Sequence, residues 1–164
     1  NLYFNINKNK NLQFVDWDKY FYPLDSIGSW NKLYGKKGFF QFQCLLSEDI
    51  SLKGYEIILK KIQNKSSGAF LAVLKYFGEG NTNLSFPKKG FALALDFKAT
   101  KKNIELGKEL NNIVNDLGGS IYLAKDALLN KKQFSLQFNK ENKKEFLEFR
   151  NPYAKSEQSH RINL

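Results

Sequence analysis

Two segments alternate strictly between large apolar and other side chains. In "FFQFQCLL" (39–46), Phe40, Phe42, Cys44 and Leu46 fall on one face, with Gln41 and Gln43 on the other. In "FALALDFK" (91–98), Phe91, Leu93, Leu95 and Phe97 oppose Ala92, Ala94 and Asp96. A period of two over this length predicts strands buried on one face. "AFLAVLKYF" (69–77) and "IYLA" (121–124) predict two more strands. Between them the period changes to that of a helix. Ser47 is a good N-cap with Glu48 and Asp49 in the first turn, and Tyr55, Ile58, Leu59 and Ile62 recur at helical spacing. Thr100 caps a second helix whose stripe is Leu106, Leu110, Ile113, Val114 and Leu117, ended by Gly118 and Gly119.

The order from 39 to 125 is therefore βαββαβ, an α+β fold of the ferredoxin-like kind: an antiparallel sheet with both helices on one face. Three parts are expected. Residues 1–38 form an N-terminal extension, with a turn at Pro23 and Asp25 into a short helix, Ser26 to Tyr34, stopped by Gly35 and Gly38. Residues 39–125 form the ferredoxin-like domain. Residues 126–164 form a helical tail with Phe134, Phe138, Phe146 and Phe149 as anchors, packed on this domain or on another, and Asp126 as its cap.

Alternation also assigns the faces. The large apolar sets belong under the helices, which leaves Gln41, Gln43, Ala92 and Ala94 on an open face. Small side chains there leave room for a ligand, and glutamine amides offer both donors and acceptors. Lys75 and Lys125 close the second and fourth strands, and would put a cationic patch at one edge of that face. The plainer alternative is that strand-end lysines simply snorkel to water.

Composition narrows the chemistry. The 164 residues carry 26 basic and 16 acidic side chains, a formal charge of +10. A basic chain suits nucleic acid, anionic lipid or a phosphorylated substrate, but only Arg150 and Arg161 are arginines, the better bidentate phosphate readers. A single cysteine, Cys44, and a single histidine, His160, exclude an internal disulfide and leave too few ligands for a Cys/His metal site. Charges interrupt every apolar run well short of the roughly 18 residues of a membrane span. The chain lacks methionine, so it is expected to be a processed chain or a piece of a longer one.

"KGFALALD" (89–96) resembles part of the RNP1 motif of RNA-recognition domains, and a free-standing ferredoxin-like RNA-binding module is the alternative reading. Leu93 and Asp96 stand where that motif has aromatics, and the reading requires Phe91 to face outward.

Several blocks carry a different resemblance: "YFYPLDSIGSWNKLYGKKGFFQFQ", "LKYFGEGNTNLSFPKKG", "LDF", "GGSIYLAKD" and "SEQSHRINL". In order and spacing they resemble the C-terminal part of the FAD-linked sugar oxidases of the vanillyl-alcohol-oxidase superfamily, which include the aldonolactone oxidases. The resemblance runs from Leu2 onward and implies that "NLYF" is native sequence. It implies a substrate-binding piece of a flavoenzyme that oxidises a sugar or sugar-phosphate alcohol by hydride transfer to flavin. FAD would be held by an N-terminal domain outside this chain, to which the tail returns, so the piece alone would be inactive. By the same resemblance, Gln41, Gln43 and Lys75 line the substrate pocket, Tyr122 lies near the flavin, and Lys125 sits beside its ring as the catalytic cation. Phe21 stands at a pocket position where the family has a tyrosine, while Ala92 and Ala94 replace an asparagine and a cysteine. His160 and Arg161 read as structural. A small sugar or polyprenyl-phosphate sugar is the implied substrate, with no nucleic acid and at most peripheral membrane contact, in the cytoplasm or at a membrane surface. An apolar surface made for another domain can also pair with a second copy of itself.

Overall fold

The computed structural model describes residues 5, 8, 12, 14–22, 24, 25, 27–80 and 84–164. The "NLYF" start, the turn at Pro23, the helix start at Ser26 and Asn81–Asn83 of the long connection lie outside the described residues. The chain divides into two compact units, Asn1–Lys36 and Lys37–Leu164.

In the first unit, a five-residue helix α1 (Trp17–Phe21) had no counterpart in the sequence pattern. The helix expected to reach Tyr34 is a 3-10 turn, Trp30–Tyr34. Ser29 precedes it in the left-handed region (φ 56°), which interrupts any continuous α-helix arriving from the N-terminal side.

The second unit carries the expected order. Its elements are β1 (Phe39–Ser47), α2 (Glu48–Asn64), β2 (Ala72–Phe77), β3 (Gly90–Lys98), α3 (Lys101–Asp116) and β4 (Ser120–Ile121). The strands form one sheet in the order β2-β3-β1-β4, every pairing antiparallel. This is the α+β, ferredoxin-like arrangement. The core lies between sheet and helices, where Phe42, Cys44, Leu46, Leu93, Leu95 and Phe97 meet Ile58, Ile62, Leu106, Leu110 and Val114. The large alternating sets are thus under the helices, as their size required.

Both helices use a glycine where they press on other core elements. A Cβ on Gly54 would lie 2.4 Å from Leu46 Cδ1, and one on Gly107 2.5 Å from Leu128 Cδ1 and 3.0 Å from Phe40. α3 begins as expected, with the Thr100 side chain accepting from Asn103 N.

The tail forms α4 (Lys131–Gln137), α5 (Lys140–Phe149) and α6 (Glu157–Ile162). Phe134, Phe138, Leu129 and Ile162 join the main core, while Phe149 is 83% exposed. Two of the four expected aromatic anchors therefore pack on this unit. Asp126 does not cap a tail helix. Its Oδ1 accepts from Leu128 N and Leu129 N at 2.8 and 2.7 Å, holding the turn before α4. The cap of α4 is Asn130, in a reciprocal capping box with Gln133.

Strand ends also differ from expectation. β2 starts at Ala72 rather than Ala69, although Phe70 N and Leu71 O still bond to the Asp96 backbone. β4 has two residues, and Leu123–Lys125 is a 3-10 turn rather than strand. A side chain takes over the ladder at that edge: Gln137 Oε1 accepts from Ile121 N at 2.8 Å, and Gln137 Nε2 donates to Ile121 O at 2.7 Å. The amide reproduces both bonds a neighbouring strand would make, so no further strand is needed there.

Candidate functional site

Antiparallel register sets which side chains share the sheet face turned away from the helices. One row across the strands is Lys75, Ala92, Leu45 and Ser120. The next is Val73, Ala94 and Gln43, continued by Tyr122, whose N–H donates to Gln43 O at 2.9 Å. Beyond it Asp96 pairs with Gln41. Strand alternation thus brings Gln41, Gln43 and Lys75 to one face, and Tyr122 packs on the same side against Leu45, Phe86 and Ala92.

That face is not bare. Ala92 is 1% exposed, Ala94 9%, Gln43 8% and Asp96 2%. The connection before β3 lays Phe86 over Ala92 and Leu45, where its ring meets Tyr122 at 4.7 Å and Phe77 at 6.0 Å. The expected space above Ala92 is therefore filled by the protein's own aromatic. The small alanine side chain is what lets the Phe86 ring approach the sheet.

Nor do Lys75 and Lys125 form a patch at one edge. Lys75 is on β2 and Lys125 follows β4, and these strands are the two opposite edges of the sheet. Three interstrand spacings separate those strands, about 14 Å. Both lysines are exposed, and neither forms an ion pair among the described residues. Lys125 is held by its backbone: its N–H donates to Tyr122 O at 3.1 Å. Phe21 lies in the first unit at the end of α1, 67% exposed and edge-on to Tyr20 at 5.2 Å.

The structure adds two residues that the sequence reading did not assign to the site. Asp96 accepts from Gln41 Nε2 at 2.6 Å, and Phe86 covers the Ala92 corner. Alternation puts Gln41 and Asp96 on the same face, but only the register of the two strands sets them opposite each other. Phe86 had no such signal, being a single aromatic in a polar connection.

Two concavities bear on where a ligand can sit. Beside β1, a cleft lined by Gln41, Gln43, Asn111, Ile121 and Asp126 has a volume of about 10 Å³, room for one water at most. A groove of about 560 Å³ lies on the helix side, between α2 and the edge strand β2, lined by Leu52, Tyr55, Leu59, Leu74 and Phe91. It is apolar and lies across the sheet from Gln41 and Gln43. Phe91 lines this groove and packs edge-on against Tyr76 at 5.0 Å. It faces the helices, so the outward stacking aromatic required by the RNA-binding alternative is not present at Phe91.

The tail is latched to the end of the sheet. Arg161 Nη1 pairs with Asp126 Oδ2 at 3.0 Å and also donates to Leu129 O. Gln158 Nε2 donates to Leu123 O at 2.6 Å, bracing the turn that carries Lys125. His160 is exposed. No helix among the described residues is long and apolar enough to cross a membrane.

No protein-family model matches the chain. Over 110 residues, 66% of its length, the chain is 36% identical to decaprenylphosphoryl-β-D-ribose oxidase of Mycolicibacterium smegmatis. It spans about a quarter (24%) of that protein. The match is to an oxidase, as the order of the sequence blocks led one to expect.

Proposed function

We propose that this chain is the substrate-binding, C-terminal part of an FAD-dependent oxidoreductase that oxidises a sugar or sugar-phosphate alcohol by hydride transfer to the flavin. The observation that carries the reading is the 36% identity to an oxidase named for a polyprenyl-phosphate sugar. The gathering of Gln41, Gln43, Lys75 and Tyr122 on one sheet face supports it.

FAD would accept the hydride. This chain fits the edge of such a cofactor rather than its whole length. Lys125 stands exposed on a braced turn beside Tyr122, and among the described residues no glycine-rich loop opens a helix to cradle the FAD phosphates. Those phosphates belong on a further FAD-binding domain of the same protein, and the chain alone is inactive. In this scheme residues 1–38 extend the substrate domain, 39–125 form it, and 126–164 connect back toward the FAD domain.

Each residue has a role consistent with its position. Lys125 would supply a cation to the flavin and would favour its more negatively charged state. Gln41 and Gln43 orient sugar hydroxyls, Lys75 meets a phosphate, and Tyr122 packs near the flavin. The substrate is a small sugar or a polyprenyl-phosphate sugar, the latter met by peripheral contact with a membrane surface.

The test is flavin reduction in the protein encoded by the full reading frame. Lys125→Ala is expected to slow reduction by sugar at least tenfold, about 1.4 kcal/mol or more of lost transition-state stabilisation. A flavin reduced at the unaltered rate in that variant overturns the assignment of Lys125.

A further inference from the structure

The Gln41–Asp96 pair defines the polarity of the sheet face, an inference that rests on the substrate-face reading above. Asp96 is the register partner of Gln41, is 2% exposed, and accepts from Gln41 Nε2 at 2.6 Å. A glutamine amide can turn by 180° and offer a ligand either its donor or its acceptor end. A carboxylate oxygen accepts and does not donate, so it takes the NH2 end of the amide. Hydrogen bonds to a charged acceptor are about twice as strong as neutral ones, and a buried carboxylate has much to lose by giving one up. The Gln41 side chain, partly exposed at this face, is left with its Oε1 as the end committed to nothing on Asp96.

We propose that Asp96 is a positioning residue. It holds the Gln41 amide with its carbonyl oxygen toward the ligand, so this end of the face accepts a hydrogen bond from a ligand hydroxyl and rejects an acceptor-only anion such as a phosphodiester. An anionic group is directed instead toward Lys75. The Lys75 and Gln41 rows are two strands and four residues apart, about 17 Å between Cα atoms, and the two long side chains reduce that span toward the length of a sugar phosphate. The face thereby reads a ligand as hydroxyls at one end and negative charge at the other.

The orientation is tested first without any ligand, by NMR of the 15N-labelled chain. One Gln41 side-chain amide proton is expected to be shifted downfield, with exchange slowed at least tenfold relative to an exposed glutamine. Signals of an ordinary exposed glutamine overturn the proposal, and this measurement stands even if no Asp96 variant folds. Methyl riboside and dimethyl phosphate, an anion with no O–H to donate, are then titrated separately. The neutral sugar is expected to move the Gln41 signals, and dimethyl phosphate to leave them unmoved. Dimethyl phosphate that moves them as far as the sugar does, or a sugar that leaves them unmoved, overturns the proposal. Asp96→Asn keeps the side-chain volume and frees the amide to turn. It is expected to weaken sugar binding about tenfold, the effect of about one charge-assisted hydrogen bond, with the chain still folded. Unaltered sugar binding in that variant overturns the proposal. The lock is read without sugar or flavin, so its failure is distinct from failure of the oxidase reading, which flavin reduction in Lys125→Ala decides.

Discussion

Cys44 sits in the middle of β1 with no exposed surface, and burial pushes its thiol up to about 12. Tyr55, whose hydroxyl donates to Phe91 O, is raised as well, first by burial and then by the charge Cys44 would carry. Both groups hold in the folded chain a proton that the unfolded chain gives up more readily. Their contribution to stability is whole below the unfolded thiol value of 9.0 and is lost as pH climbs toward about 12. The melting temperature is therefore expected to fall steadily above about pH 9, and Cys44 to resist alkylation near pH 8 until the chain unfolds. A native thiol alkylated as fast as a free cysteine contradicts this. Phe86 is the other residue whose role depends on position alone. Phe86→Ala would uncover Ala92 and Leu45 and is expected to cost about 3–5 kcal/mol in urea unfolding. A loss below about 1 kcal/mol would mean that the ring is not packed on the sheet.

At the scale of elements, the edge at β4 depends on one side chain. Gln137 supplies both partners of Ile121, so Gln137→Leu leaves an N–H and a C=O without their ladder bonds. The expected cost is about 1–3 kcal/mol, visible as faster hydrogen exchange at Ile121 and unchanged exchange in β3. In α2 the expectation runs against helix propensity. Alanine is the better helix former by about 1 kcal/mol, yet a Cβ at Gly54 would overlap Leu46, which is fully buried and has little room to move. Gly54→Ala is expected to destabilise by about 1–3 kcal/mol through overpacking, and a gain in melting temperature would contradict it. The strands and main helices were legible because alternation and helical stripes are local: Thr100–Asp116 carries both stripe and cap, while Glu48–Asn64 carries the stripe with Ser47 at the cap position but no cap hydrogen bond from its side chain. β4 was not. "IYLA" reads as a strand of four, but Gln137, sixteen residues away, closes the ladder after Ile121. The 3-10 turn at Trp30–Tyr34 was likewise hidden, since the left-handed backbone at Ser29 has no marker in a serine.

At the scale of the whole molecule, the tail is part of the core. Leu129, Phe134, Phe138 and Ile162 are buried with β1 and α3, and Arg161 and Gln158 tie α6 to the turn at 123–126. Truncation after Lys125 is expected to expose this apolar surface and give an aggregating, non-cooperative chain. Arg161→Ala is milder. It leaves Asp126 with its two backbone donors, and is expected to lower stability by about 2–4 kcal/mol while loosening the turn that carries Lys125. Limited proteolysis near residue 125 would report that loosening.

The sequence by itself determined the antiparallel sheet, the two helices over one face, and which large side chains form the core. These follow from periods of two and 3.6, which local covalent geometry imposes. It also put Gln41 and Gln43 on the face opposite the helices. Only the tertiary structure decided the rest. The strand order sent Lys75 and Lys125 to opposite edges, the register set Asp96 against Gln41, and the connection before β3 folded Phe86 into space that the alanines seemed to leave for a ligand. The physical reason is the same in each case: periodicity along a strand says which face a side chain takes, whereas its neighbours on that face come from distant parts of the chain.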